Sequence, residues 1–209
     1  MQSAKTLINR IDMVLMIFAF SLAACQTAPG HRLVRQTDQQ SEIQSTLQQS
    51  APAPCPLPQT GQKRSYAPGD DGRLKAGKPW PLPRFVDNGD GTVSDGLTGL
   101  MWTKNADQTN GEIDWDEALA RSTACDDGGH ADWRLPNRNE LASLIDLGQA
   151  QPALTQGHPF EKVQSDYYWT STTPTNNEDH AWVIHFFRGF ITQDDKGGTH
   201  HAWFVRNGE

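Results

Sequence analysis

Residues 176–179 set two amides and two carboxylates, Asn176, Asn177, Glu178 and Asp179, on consecutive positions between apolar segments. An amide presents a donor beside an acceptor and so suits a pair of neighbouring hydroxyls. A carboxylate accepts from hydroxyls or holds a hard cation such as Ca²⁺. Thr172 lies just ahead of this run, and Trp182 and Arg188 follow it. An exposed indole on the closing strands, Trp182 or Trp203, would stack on a sugar ring. Thr172, Asn176, Asn177, Glu178, Asp179, Trp182 and Arg188 form the candidate ligand-binding set, because loops held by a rigid scaffold carry function. The plainer alternative is a solvated loop that holds nothing.

A second oxygen-rich run, residues 87–95 (DNGDGTVSD), fails as a calcium loop. An EF-hand-like loop needs oxygen ligands at positions 1, 3 and 5 and glycine at 6. Placing Gly91 at position 6 puts Val86 at position 1, and starting at Asp87 puts Gly89 and Gly91 where ligands belong. A hairpin turn is the better reading. His130, His158, His180 and His185 lack metal-ligand spacing. His200 and His201, as neighbours, point to opposite sides of a strand, so a strand-edge role is expected of them. The metal stays unassigned, with no cofactor expected and calcium left open. Ser, His and Asp are abundant, yet none sits in a strained elbow or other catalytic setting. A non-catalytic protein is expected.

The first 25 residues address location. Lys5 and Arg10 precede an apolar run at residues 13–22 (MVLMIFAFSL), and residues 22–25 read LAAC. That run is shorter than the roughly 20 residues a membrane-crossing helix needs, so a cleavable signal is expected over residues 1–24. Small residues directly before a cysteine resemble a bacterial lipobox, which makes Cys25 the lipidation site and the anchor. An ordinary secretory signal is the alternative. One acyl chain holds a protein marginally, whereas two or more hold it well. Gln26, in place of the Asp common in inner-membrane retention, points to the outer membrane of a bacterial envelope. Residues 25–54, rich in Gln, Ser, Thr and Pro, bury too little to order themselves and read as a tether spanning roughly 30 Å.

Charge narrows the partners. Residues 80–209 hold nine Lys/Arg against twenty Asp/Glu, a net of −11. No nucleic-acid partner is expected of so acidic a domain, since such affinity rests on neutralised phosphates. Sulfated polysaccharide is disfavoured for the same reason. Of three cysteines, Cys25 is taken by lipid. Cys55 and Cys125 either form a disulfide, which the compartment allows, or remain a buried thiol at Cys125 and an exposed one at Cys55.

The elements that must position these groups follow from local signals. Residues 114–117 (DWDE) form a capping-box-like start for a helix ending near Cys125. Residues 137–140 (NRNE) repeat the device and open a helix through Leu141, Leu144 and Ile145 to about Leu147, with Gly148 as the stop. Residues 84–87 and 92–95 flank the Asn-Gly-Asp-Gly turn as a hairpin, and residues 100–103 and 167–171 are short strands. Residues 181–187, 190–193 and 201–205 are expected as a closing meander. Asp132-Trp133-Arg134 is expected to hold a structural ion pair, with Arg134 tying down the second helix. Trp102, Trp133 and Trp169 are expected in the core. Strands, two helices, then strands indicate an α+β fold with an antiparallel sheet.

Four segments together carry a resemblance: residues 84–106 (RFVDNGDGTVSDGLTGLMWTKNA), 128–141 (GGHADWRLPNRNEL), 157–173 (GHPFEKVQSDYYWTSTT) and 181–186 (AWVIHF). In this order they closely resemble the Lcl C-terminal-domain family, named for a bacterial collagen-like adhesin, over about residues 55–209. The resemblance implies a C-type-lectin-like fold with paired terminal strands and a twisted antiparallel sheet flanked by two helices. It also implies extracytoplasmic display and, for the named adhesin, polysaccharide binding. Three departures stand out: there is no Gly-X-Y stalk, the domain is acidic, and residues 205–209 lack the closing-strand cysteine of some members. The Glu-Pro-Asn and Trp-Asn-Asp sequences of calcium-dependent sugar-binding lectins are absent too. The expected function is adhesin-like recognition of a polysaccharide or a surface protein by an envelope lipoprotein. A structural partner within an envelope assembly is the first alternative and an enzyme the second.

Overall fold

The computed structural model describes residues 57–208. Cys25, Cys55 and the tether lie outside them, and so does any Cys55–Cys125 pairing. The described chain is α+β, with seven strands in two antiparallel sheets. One sheet has the order β1 (Phe85–Asp87), β2 (Thr92–Asp95), β3 (Leu100–Thr103), β7 (Val205–Asn207). The other runs β4 (Tyr167–Trp169), β5 (His180–His185), β6 (Phe190–Asp195). A one-turn helix α1 (Asp71–Leu74) belongs to the lead-in, residues 57–84 ahead of β1, and α2 (Trp115–Thr123) and α3 (Arg138–Ser143) follow β3 in sequence. Among the described residues no helix is long and apolar enough to cross a membrane.

The β1–β2 turn carries out the hairpin reading of residues 87–95. Gly89 and Gly91 sit at φ 81° and 91°, where a side chain would strain the backbone. The Asp87 carboxylate accepts from Gly89 N at 3.0 Å, and Asp90 accepts from Thr92 N and Oγ1. The acidic groups serve the turn.

Both helix starts are capped. Asp114 accepts from Glu117 N at 2.8 Å, but the Glu117 side chain turns outward to Arg121 at 3.0 Å instead of closing the box. At α3 the box is complete: Asn137 Oδ1 accepts from Glu140 N, and Glu140 accepts from Asn137 N at 2.8 Å. α3 ends at Ser143, short of the expected Leu147. The amides that would continue it are taken elsewhere, Asp146 N by Ala153 O at 2.9 Å and Leu147 N by Thr60 O at 2.9 Å.

The expected closing meander is corrected at its third strand. β5 and β6 pair from His180↔Asp195 to His185↔Phe190, but the last segment leaves them. His201 bridges Tyr168 of β4, and β7 then pairs with β3 through Trp102↔Val205. This crossing joins the two sheets and brings the late strand beside an early one. It also carries Trp203 into the interior, where its indole donates to Thr103 O at 2.8 Å. Trp102, Trp133 and Trp169 are buried as expected. Phe160 and Trp102 meet Trp203 edge-on at 4.7 and 5.6 Å. A buried indole removes roughly 150–250 Å² from water, an upper figure of about 4–6 kcal/mol at ~25 cal/mol per Å².

Asp132 and Arg134 each hold an ion pair, though with different partners. Arg134 grips Glu140 with two hydrogen bonds of 2.7 Å, which ties down α3, while Asp132 pairs with Arg206 of β7 at 2.6 Å. Arg84 and Asp95 form a buried pair at 2.9 Å, and Asp95 is further satisfied by Leu97 N and Thr98 Oγ1.

Candidate functional site

The polar loop ahead of β5 is held by its own amides. Asn177 Nδ2 lies 2.7 Å from His180 Nδ1, and Asn177 Oδ1 accepts from Asp179 N at 3.2 Å. Both ends of that side chain are therefore spent on the turn. Lys196 grips the loop from the far end of β6: its Nζ donates to Glu178 O at 2.7 Å and its N to Asp179 O at 2.9 Å. Asn176, Glu178 and Asp179 are exposed. Among the described residues no three His, Cys, Asp or Glu side chains gather at metal-binding spacing.

Trp182 lies next to this loop, partly exposed on β5, with the Arg138 guanidinium 4.7 Å from its ring centre. Thr172 links the two, since its hydroxyl accepts from Arg138 N at 3.0 Å and its carbonyl from Trp182 N at 2.9 Å. Asn137, Arg138, Asn139 and Thr172 line a shallow polar hollow of about 340 Å³. Asn137 has its oxygen committed to the helix cap, while Asn139 is exposed. The arrangement offers a flat indole, a guanidinium and several amides at one surface, which is the chemistry that receives sugar hydroxyls and ring faces.

The structure thus joins Thr172 and Trp182 and adds three residues that the sequence reading assigned only to the helix start: Asn137, Arg138 and Asn139. Their signal was present in the NRNE run. A capping box exposes one side of its first turn, and Thr172 after β4 with Trp182 of β5 completes that side. Arg188 does not belong to the set. It follows the opposite end of β5, a strand of six residues and so about 20 Å long, and stacks on Phe187 at 5.1 Å. Trp203 is excluded as a stacking surface by its burial.

Three histidines on and beside the β4–β5–β6 sheet pair with aspartates. His200 Nε2 lies 2.9 Å from Asp194, His201 Nδ1 3.2 Å from Asp107, and His185 Nε2 3.7 Å from Asp166. Among the described residues none of these rings hydrogen-bonds a Ser or Thr hydroxyl or a Cys thiol. Cys125 packs against the buried cluster that holds Trp133, Leu135, Trp169 and Phe204, and burial pushes its thiol up.

No curated protein matches the chain. The model of the family described as the Lcl C-terminal domain matches residues 91–206, which starts inside the β1–β2 turn and leaves the lead-in outside the match. It spans the loop at residues 176–179, Trp182, both longer helices and the β7 crossing. The chain belongs to the Lcl C-terminal domain family.

Proposed function

We propose that this chain is a bacterial envelope lipoprotein, anchored through Cys25 in the outer membrane, whose C-type-lectin-like domain recognises a polysaccharide or surface partner without catalysis. The observation that carries the reading is the Trp182 surface. An indole with one guanidinium stacked on it stands beside Thr172 and the polar hollow of Asn137 and Asn139, and the exposed Asn176, Glu178 and Asp179 lie in the loop just ahead of its strand. Stacking supplies sequence-tolerant affinity, and the amides and carboxylates select among hydroxyls. The net charge of −11 over residues 80–209 favours neutral glycans over sulfated ones. No cofactor is part of this reading. The test is binding of the detergent-solubilised full chain to a glycan array, with calcium and with chelator. Neutral glycans captured by wild type and lost in Trp182→Ala support it.

A second reading, a structural partner within an envelope assembly, has its own observation. β6 is a sheet edge with Phe190 and Ile191 exposed, and Leu147 is exposed nearby in sequence to the α3 end. An unpaired edge is a template for strand addition. An array that stays blank, with specific cross-links from β6 to an envelope protein, would favour this reading.

A further inference from the structure

The lead-in, residues 57–84, carries charge opposite to the rest of the domain. It holds six Lys/Arg and two Asp/Glu, a net of +4, whereas residues 85–209 hold eight Lys/Arg and twenty Asp/Glu, a net of −12. Arg84 is buried against Asp95, but Lys63, Arg64, Arg73, Lys75 and Lys78 are all exposed. Among the described residues none of these five forms an ion pair. The same stretch exposes the largest apolar side chains. Leu57, Tyr66, Leu74 and Leu82 are 68, 71, 65 and 96 % exposed, above every other large hydrophobic among the described residues. A single exposed leucine is ordinary, but four such residues among five unpaired cations mark an interaction surface.

These residues form one compact element. Lys78 N donates to Leu57 O at 2.7 Å, Gln59 N to Lys78 O at 3.0 Å, and the Trp80 indole to Gln59 O at 2.8 Å. Arg64 O lies so close to Gly72 that a Cβ there has no room, which packs Arg64 and Ser65 against α1. The Arg64 guanidinium carbon is 5.0 Å from the Tyr66 ring centre, and Lys63, Lys75 and Leu82 line one hollow. Basic and apolar side chains are thus interleaved on the same element.

We propose that the lead-in is a membrane-contact surface that seats the domain on an anionic phospholipid bilayer. The leucines and Tyr66 enter the headgroup boundary, and the lysines and arginines meet the phosphates. The remainder of the domain, at −12, is repelled by the same bilayer, so charge turns the lead-in toward it. At physiological salt the field reaches only about 8 Å, so the charges nearest the bilayer decide and not the net charge of the domain. The sequence also puts Cys25, the proposed anchor, ahead of Leu57, so in an anchored chain the lead-in is the first part of the domain after the bilayer. The surface lies outside residues 91–206, which match the family, and so does not follow from family membership. The inference rests on the anchoring proposed above and is independent of the Trp182 surface.

The test is lipid photocross-linking by the full chain reconstituted into vesicles and, separately, in native envelope membranes. The photoreactive p-benzoylphenylalanine replaces Leu82, Tyr66 or, as a control on the acidic part, the exposed Asp116 of α2. The vesicles are phosphatidylcholine alone or with about 30 % phosphatidylglycerol. Flotation of the same samples reports anchoring. With phosphatidylglycerol present, lipid cross-links from positions 82 and 66 exceed those from 116 at least about fivefold. They fall about threefold or more in phosphatidylcholine alone, and likewise in Lys63→Glu/Arg64→Glu/Lys78→Glu. Leu57→Ser/Leu74→Ser lowers them as well, with thermal midpoints near wild type. A chain that does not float overturns the anchoring and this inference together. A chain that floats but cross-links equally at all three positions, or ignores both lipid charge and the charge variant, overturns this inference alone. Cross-links from position 82 that go to an envelope protein and not to lipid assign the surface to a protein partner and overturn it too.

Discussion

At the residue scale, Glu140 does two jobs with one carboxylate. It closes the capping box of α3 and receives the Arg134 fork. Burial works against its charge, but Arg134 and the Asn137 amide outweigh it and hold the carboxyl below its ordinary value of 4.5. A depressed carboxyl stabilises the fold fully above its unfolded value and loses that contribution as pH falls through the folded one. His158 follows the same direction from 6.5, because burial favours its neutral form. The thermal midpoint should therefore fall in two stages on acidification, first below about pH 6.5 and then below about 4.5. His158→Gln should remove the first stage alone; a midpoint that rises between pH 7 and 5.5 contradicts the assignment. Glu140→Ala should cost about 1–2 kcal/mol, the scale of a lost cap plus a partly exposed pair, measured by denaturant unfolding. The cap was legible in the sequence because its spacing is local. The tie from Arg134 to the helix was legible as well, but the partner of Asp132 was not, since Asp132 finds Arg206 on a strand 74 residues later.

At the element scale, the lead-in is docked by glycine. A Cβ on Gly61 would come within 2.2 Å of Asp146 Oδ1, and φ there is +86°. Across the contact, a Cβ on Gly148 would meet Gly61 O at 2.5 Å. Gly61→Ala should cost about 1–3 kcal/mol from the left-handed conformation and the clash. Hydrogen exchange should show the Leu147 amide, donated to Thr60 O, losing protection while the β3 amides keep theirs. Unchanged protection at Leu147 would contradict the docking. The hairpin, both helix starts and most strands were readable from turn and cap signals. The early end of α3 was not, because tertiary carbonyls of Ala153 and Thr60 capture the next amides. Nor was the pairing of β7, since proximity in sequence suggested β6 while the sheet partner, β3, lies about a hundred residues earlier.

At the scale of the whole molecule, an acidic domain carries an indole-and-guanidinium surface where α3 meets β5. Half of that surface was foreseen, Thr172 and Trp182 with the following loop. Arg138 and Asn139 were missed because their sequence also explains a helix cap, and Arg188 was included because closeness along the chain does not survive a six-residue strand. Asn177 proves to brace the loop, so a substitution there confuses binding with folding; Asn176 and Asp179 are exposed and free of that objection. Sulfated glycans should bind at least about tenfold more weakly than their desulfated forms at low salt, with the gap narrowing as salt rises. The central claim is tested most directly by titrating the neutral glycan that the wild-type full chain captures best against Trp182→Ala and Asn176→Ala/Asp179→Ala. Thermal midpoints are recorded on the same samples. The account predicts an affinity loss of about tenfold or more for Trp182→Ala and a smaller loss for the double variant, with midpoints close to wild type. Undiminished binding by both folded variants, or no captured neutral glycan at all, would contradict it.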